Sequence, residues 1–209
     1  HILASMVSAS WIKYSLFLYA LINVSILSGE SSAKKPKCPV FMAITGISTK
    51  PNLCTEDENI KLDAINEIVI KNIQSRTVHL DLQVDGIKIE HFSGDGMLIS
   101  TPMGSTAYNY SAGGSIVDPN LNLLQLTPIA PMNTNAYRSF TSSIILPTTS
   151  VISISPEFDF ENIILIVADG TQYKFTRIEE VKIYKSHKKV KLLRLNGYEF
   201  WNRVSEKFL

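Results

Sequence analysis

The feature that most constrains the fold of this chain is an alternation of apolar and polar residues on both sides of an Asp-Gly pair. The alternation runs over residues 78–84, stops at Asp85-Gly86 and resumes over residues 87–92. Alternation with a period of two predicts a strand that is buried on one face. An Asp-Gly pair between two such runs predicts a tight hairpin, because a type I′ turn needs positive φ at both central residues.

The same pattern recurs downstream and indicates a mainly β chain. Asp169-Gly170 separates residues 163–167 from residues 172–175, and residues 150–155 form another alternating run. A further strand pair is predicted at 181–185 and 190–195, with a turn at residues 186–188. Closely spaced strands of this kind predict an antiparallel, β-sandwich-like domain with a few helices.

Two helices are expected among these strands. The first should begin near Ser105 and end at Gly113-Gly114. The second should span residues 200–209, where apolar residues recur every four positions, and Phe200 and Trp201 are expected to pin it to the sheet.

The first 60 residues form a poorly defined N-terminal segment, and residues 61–209 form the β-rich domain. The segment is interpreted as a remnant of an α/β domain or as residues added by cloning. Within it, residues 40–47 predict one short strand, and the apolar run 11–27 is interpreted as a buried core segment rather than a membrane span. Cys38 and Cys54 fit a reducing compartment better than a secreted scaffold, with a single disulfide between them as the alternative.

The charge balance argues against nucleic acid as a partner. Lys and Arg number 20 and Asp and Glu number 19, so the formal net charge is only +1. A strong field that would attract nucleic acid or an acidic membrane is therefore not expected. His79 and His91 are expected to be surface residues rather than metal ligands, and no metal-binding residue is assigned.

The stretch from residue 93 to residue 119, SGDGMLISTPMGSTAYNYSAGGSIVDP, carries the most chemical information. Gly104 allows a tight turn into a helix whose first N–H groups would suit an anion or a polar ligand group. Tyr108 offers a flat ring for stacking on a ribose or a base. Taken singly, Ser105 is more often a helix cap, and Asp95 between two glycines is more often a turn residue. Neither a GxGxxG fingerprint nor a P-loop is present.

The combination of GDG, TPMGSTAY and SAGG resembles the NAD kinase family. The resemblance extends upstream to Ala64-Ile-Asn-Glu-Ile68 and downstream to residues 124–131 and to Phe200-Trp-Asn-Arg-Val204. It implies the β-rich C-terminal, NAD-binding domain of that family. The implied activity is ATP-dependent phosphorylation of the 2′-hydroxyl of the adenosine ribose of NAD to give NADP, in the cytoplasm. ATP and NAD are the implied substrates, with Mg²⁺, and a homodimer or homotetramer is the implied assembly.

The resemblance also implies which residues bind NAD. Asn66 and Glu67 would bind the ribose hydroxyls of the adenosine half, and Asp95 would contact the nicotinamide end, often from a neighbouring subunit. Ala130 occupies the position of a further contact between subunits. The remaining residues implied to line the NAD site are Thr106, Ala107, Tyr108 and Ser111.

One family motif is missing from the sequence. NAD kinases supply a catalytic carboxylate and phosphate-binding backbone from a Gly-Gly-Asp-Gly-Thr loop in an N-terminal α/β domain, and no GGDG occurs here. No catalytic residue is therefore identified, and this chain alone is expected to be deficient in catalysis. Three explanations remain open: an incomplete chain, which we favour; a divergent protein that binds NAD without phosphoryl transfer; or two separately encoded or cleaved parts.

Two rival functions follow from the same residues. A non-catalytic NAD- or NADP-binding protein would bind dinucleotide without turnover. A lipid kinase of the same superfamily would place an apolar tunnel, rather than a polar ribose pocket, beside Tyr108. A β-sandwich interaction module without a ligand is the remaining alternative.

Overall fold

The described residues of the computed structural model form two antiparallel sheets of six strands each. The structure describes residues 40–45, 62–74, 76–135, 138–157, 163–176, 178, 180–191 and 199–209, all of which lie in the compact unit Lys37–Leu209. The apolar run 11–27, both cysteines and the boundary near residue 60 lie outside these residues. No helix among the described residues is long and apolar enough to span a membrane.

The strands are, in chain order, β1 (Val40–Thr45), β2 (Asp63–Ala64), β3 (Glu67–Asn72), β4 (Val78–Val84), β5 (Ile87–Gly94), β6 (Gly96–Ser100), β7 (Leu123–Ile129), β8 (Ile144–Pro147), β9 (Ile152–Pro156), β10 (Ile163–Ala168), β11 (Thr171–Thr176) and β12 (Val181–Lys191). The first sheet has the order β2-β1-β12-β9-β4-β5. The second has the order β11-β10-β3-β6-β7-β8. The mainly β, sandwich-like fold predicted from the sequence is confirmed.

The core lies between the inward faces of the two sheets. Alternate residues of β4, Val78, Leu80 and Leu82, are fully buried, whereas the residues between them are partly exposed. They share one hydrophobic cluster with residues of the second sheet such as Ile70 and Ile99. Burial on one face explains the alternation in β4, since successive side chains of a strand point to opposite faces. In β5 the expected apolar face is wrong, because Ile87 and Ile89 are exposed whereas Glu90 is buried.

Both Asp-Gly pairs form the predicted hairpin turns. Asp85 and Gly86 have φ of 53° and 80°, and Asp169 and Gly170 have φ of 45° and 83°. Positive φ at both central residues is the signature of a type I′ turn. The turns connect β4 to β5 and β10 to β11. The strand expected near residues 40–47 is also present, as β1.

The third predicted hairpin, at residues 186–188, is wrong. Residues 181–191 form one continuous strand, β12, that pairs with β9 and β1. Its register with β1 shifts where Met42 lies opposite Lys189 and Ile44 lies opposite Lys185, so β12 carries extra residues in a bulge there. Ser186 is buried, and its hydroxyl donates to Asp63 and accepts from the Lys188 N–H. Long-range pairing with β1 therefore overrides the local turn signal.

The first helix is shorter and more irregular than predicted. Met103–Thr106 is a 3₁₀ helix, and Tyr108–Ser111 is a single α-helical turn, α1. Ala107 separates them with φ of −96° and ψ of −134°, which is far from helical geometry. The chain leaves this region through Gly113, which has φ of 88°. Of the predicted helix, only its end at Gly113-Gly114 is confirmed.

The C-terminal helix, α2 (Phe200–Phe208), forms as predicted. Trp201, however, is exposed and does not pin the helix to a sheet. The contacts that fix α2 include Phe208, whose ring lies 4.2 Å from that of Tyr110, and Lys207, which donates to the carbonyl oxygen of Thr106. The helix therefore packs on the segment that resembles the NAD site.

Candidate dinucleotide site

The sheet order brings three distant segments to one edge of the second sheet. Ala168 of β10 pairs with Ile68 of β3, and Glu67 of β3 pairs with Ser100 of β6. Because neighbouring strands are antiparallel, the end of β10, the start of β3 and the end of β6 lie side by side. Asp169, Glu67 and the segment that follows Ser100 therefore meet at this edge.

Backbone contacts hold the Asn66-Glu67 turn against the segment that follows β6. The Thr101 N–H donates to the Asn66 carbonyl at 2.9 Å, and the Thr101 hydroxyl donates to the Ile65 carbonyl at 2.7 Å. The same hydroxyl accepts from the Gly104 N–H at 3.0 Å. A Cβ at Gly104 would lie 2.1 Å from the Asn66 carbonyl oxygen, so this close approach requires glycine.

Glu67 is the central ionisable group of the site. Its side chain is buried, with 8% of the residue exposed. Among the described residues, its Oε2 has no hydrogen-bond partner. Burial, and secondarily the negative charge of Asp169, raise the pKa of Glu67 to about 7, against the lowering effects of the Tyr108 N–H and of Lys207. A buried carboxyl with a free acceptor position is suited to bind a donor from a ligand.

Lys207 brings a positive charge from the end of the chain to this site. Its ammonium donates to the Thr106 carbonyl at 2.6 Å. Burial lowers the pKa of Lys207, and attraction to Glu67 partly offsets that lowering. A carboxyl and an ammonium therefore contact the backbone around the half-exposed Tyr108: the Tyr108 N–H donates to Glu67, and Lys207 donates to the Thr106 carbonyl. These are polar surroundings, which the lipid-kinase alternative does not predict.

Several hydroxyl and amide side chains of the motif have structural roles instead. The Ser105 hydroxyl is buried, donates to the Val117 carbonyl and accepts from the Val117 N–H, so it is neither a helix cap nor free for a ligand. Asn109 is fully buried, bonds to Gln125 and Thr127, and packs against Gly114. Asn109 was not predicted as an important residue, since its only signal in the sequence is an amide inside the expected helix.

The structure places the eight predicted site residues in two groups. Asp95 and Ala130 lie together at the other end of β6, where the Asp95 N–H donates to the Ile129 carbonyl. The other six residues form the group at the edge described above: Asn66, Glu67, Thr106, Ala107, Tyr108 and Ser111. The five-residue strand β6 separates the two groups by roughly 17 Å.

The described residues do not fit a magnesium site. Nowhere in the described ranges do three or more His, Cys, Asp or Glu side chains form a group that could hold a metal ion. His91 Nδ1 lies 2.5 Å from an Asp81 carboxylate oxygen, and both side chains are partly exposed.

Comparison with known proteins identifies the family of this chain. The family model for the ATP-NAD kinase C-terminal domain matches residues 65–195. The chain belongs to the NAD kinase family. An NAD kinase of Finegoldia magna is 39% identical over 150 residues, which cover 70% of this chain and 54% of the relative. NAD kinase 2 of Halalkalibacterium halodurans is 37% identical over 155 residues, which cover 74% and 58%. The chain thus spans little more than half the length of these NAD kinases.

Solved structures of NAD and NADH kinases have the same fold. The crystal structure of yeast NADH kinase complexed with NADH matches with a TM-score of 0.66 and 26% identity, over 82% of this chain and 48% of that one. The NAD kinase from Archaeoglobus fulgidus in complex with ATP matches with a TM-score of 0.63 and 26% identity, over 81% and 59%. Those matches confirm the fold predicted from the motifs.

Proposed function

We propose that this chain is the dinucleotide-binding part of an NAD kinase and that it binds NAD at the edge formed by Asn66, Glu67 and residues 106–111. The reaction served is transfer of the γ-phosphoryl group of ATP to the 2′-hydroxyl of the adenosine ribose, which gives NADP. The observation that carries the proposal is the buried carboxyl of Glu67, whose Oε2 has no partner in the described part of the chain. An unsatisfied buried acceptor costs about 1–3 kcal/mol, and a ribose hydroxyl that donates to it would remove that cost.

The surrounding groups suit an adenosine ribose. The Tyr108 ring is half-exposed and offers a face for stacking, and Ala107 leaves room for close approach. The structural relative in complex with NADH supports a dinucleotide ligand, and the one in complex with ATP supports ATP as phosphoryl donor. Mg²⁺ would enter bound to ATP, and the described residues supply no ligand group for it. We assign no catalytic residue in this chain.

Asp95 and Ala130 are proposed to act on a different bound nucleotide. They lie at the far end of β6 from Glu67, so we propose that they contact NAD held by a neighbouring subunit of a homodimer or homotetramer. The backbone of Ala130 adopts φ of 44°, an unusual conformation for alanine, directly after Ile129, whose carbonyl accepts from the Asp95 N–H. We propose the cytoplasm as the compartment, because both substrates, ATP and NAD, are available there.

Calorimetric titration of the full chain with NAD tests the proposal, with Glu67→Gln as the key variant. Glutamine keeps the shape of the protonated carboxyl but cannot ionise. NAD affinity of the unmodified chain should therefore rise as pH increases through about 7, where Glu67 ionises. The variant should bind at least about tenfold more weakly at pH near 8, and the difference should shrink toward pH 6.

Glu180→Gln is the matched control. It makes the same chemical change at a surface residue, which forms an ion pair with Lys182. It should bind NAD as the unmodified chain does at every pH. Failure of the folded, unmodified chain to bind NAD would overturn the proposed ligand. Equal binding by Glu67→Gln and Glu180→Gln would overturn the assignment of the site.

A further inference from the structure

The turn between β10 and β11 reaches the candidate site through its aspartate. The Asp169 carboxylate accepts hydrogen bonds from the N–H groups of Ile65 at 2.6 Å, Asn66 at 2.8 Å and Glu67 at 3.2 Å. The Asp169 N–H donates in return to the Glu67 carbonyl at 3.1 Å. Four hydrogen bonds thus join this residue to three consecutive residues about one hundred positions earlier in the chain.

These bonds determine the shape of the turn that presents Asn66 and Glu67. At this point the chain passes from β2 in the first sheet to β3 in the second. The N–H groups of a chain that crosses between sheets have no strand partner at that point and need another acceptor. A carboxylate that accepts three N–H groups satisfies all of them and fixes their relative orientation.

We propose that Asp169 is a positioning residue for dinucleotide binding, because it holds the Asn66-Glu67 turn in the conformation that presents both side chains to the ligand. This inference rests on the proposed function for the identity of the ligand. Asp169 does not have to touch NAD, since it acts through the backbone of the residues that do.

The charge of Asp169 has a second effect, on Glu67. Three groups act on the Glu67 carboxyl besides its burial: Asp169 from the hairpin turn, Lys207 from α2, and the backbone N–H of Tyr108 from α1. Of these only Asp169 raises the pKa of Glu67. Replacing Asp169 with a neutral residue should therefore shift the ionisation of Glu67 to lower pH.

The chain contains a matched control for this arrangement. Asp85 occupies the equivalent position of the other type I′ turn, and its carboxylate accepts from the Val151 N–H at 2.8 Å. Its own N–H donates to the Val151 carbonyl at 2.9 Å. Asp85 therefore anchors a distant backbone segment with the same chemistry as Asp169 but away from Glu67. Asparagine is accommodated at positive φ, so it preserves either turn.

The experiment compares Asp169→Asn with Asp85→Asn in the full chain, with NAD as the probe. Calorimetry at pH near 8, where Glu67 is ionised in all three proteins, should show NAD affinity reduced at least about tenfold in Asp169→Asn and changed less than about twofold in Asp85→Asn. The pH at which NAD affinity rises should shift downward only in Asp169→Asn. A loss of general stability would not shift that pH.

Two further measurements do not depend on NAD. Amide hydrogen exchange at Ile65, Asn66 and Glu67 should accelerate in Asp169→Asn alone, and carbon NMR should show a lower titration pH for the Glu67 carboxyl. If the unmodified chain binds NAD and both variants bind equally well, the inference is overturned while the proposed function stands. If the unmodified chain does not bind NAD, the proposed function fails. Unchanged exchange and titration in Asp169→Asn would then overturn the positioning role as well.

Discussion

At the scale of single residues, Glu67 shows how a binding group costs stability. Its carboxyl is buried and lies near the negative charge of Asp169. Burial and this charge together raise the pKa of Glu67 from 4.5 to about 7. Below about pH 4.5 the group is protonated in the folded and the unfolded chain, so it has no effect on stability. Between pH 4.5 and 7 only the unfolded chain ionises, and the folded state loses stability as the pH rises.

We predict that Glu67→Gln stabilises the chain above pH 7 and has little effect near pH 4. Glutamine removes the cost of ionising a buried carboxyl, a gain on the order of 2–3 kcal/mol once the pH exceeds the folded pKa. Urea unfolding of both proteins at several pH values would measure this difference. A gain that does not depend on pH would show that Glu67 ionises normally in the folded chain.

At the scale of elements, a hydrogen-bonded junction at Thr101 joins β3 to the 3₁₀ helix. Its hydroxyl donates to the Ile65 carbonyl and accepts from the Gly104 N–H, while its own N–H donates to the Asn66 carbonyl. Thr101 is buried, so water cannot replace these bonds. The Thr101 hydroxyl therefore contributes two of the hydrogen bonds that set the distance between the Asn66-Glu67 turn and the Thr106–Tyr108 segment.

Thr101→Val should lower the free energy of unfolding by about 1–3 kcal/mol and weaken NAD binding at the same time. Valine has nearly the same shape, but it leaves the Gly104 N–H without its hydroxyl acceptor. Thr101→Ser is the control, since it keeps the hydroxyl and loses one methyl group. Denaturant unfolding and calorimetry would test the pair. If the serine variant bound NAD as weakly as the valine variant, packing of the methyl group rather than hydrogen bonding would explain the effect.

At the scale of the whole molecule, the candidate site depends on contacts between three segments that are distant in the sequence. Asn66 and Glu67 come from the crossover between sheets, Tyr108 from the segment after β6, and Lys207 from the last helix. The sequence contains no GGDG, and the chain covers 54% of its relative from Finegoldia magna. NAD binding and phosphoryl transfer can therefore be predicted and tested separately.

We predict that this chain binds NAD but forms no NADP from ATP and Mg²⁺ by itself. The resemblance to NAD kinases implies a Gly-Gly-Asp-Gly-Thr loop in the part of the Finegoldia magna relative that this chain does not cover. Joining that part to residues 62–209 should therefore restore NADP formation. The control is the same chimera with the loop aspartate changed to asparagine, which should bind NAD without turnover. NADP formation by the unmodified chain would show that it contains a catalytic carboxylate that we have not assigned.

Local patterns in the sequence determined most of the fold. The alternation in β4 and β5 and the Asp-Gly pairs specify strands and turns through neighbouring residues alone, and the linked GDG, TPMGSTAY and SAGG motifs identified the family. The helix after Ser105 was predicted too long, because the sequence does not show that the chain changes direction at Ala107. The turn at residues 186–188 was also wrong, since pairing of β12 with β1 is a long-range interaction.

The sequence by itself determined which residues are candidates for the site: a carboxyl and an amide at 66–67, and small and aromatic residues at 106–111. Only the tertiary structure decided which of them act together and what supports them. Strand register places Glu67 beside Asp169 and Thr101 and separates Asp95 and Ala130 from this group. Register is set by packing of the two sheets across the whole core, and no local pattern records it. The role of Asp169 and the approach of Lys207 could therefore be read only from the folded chain.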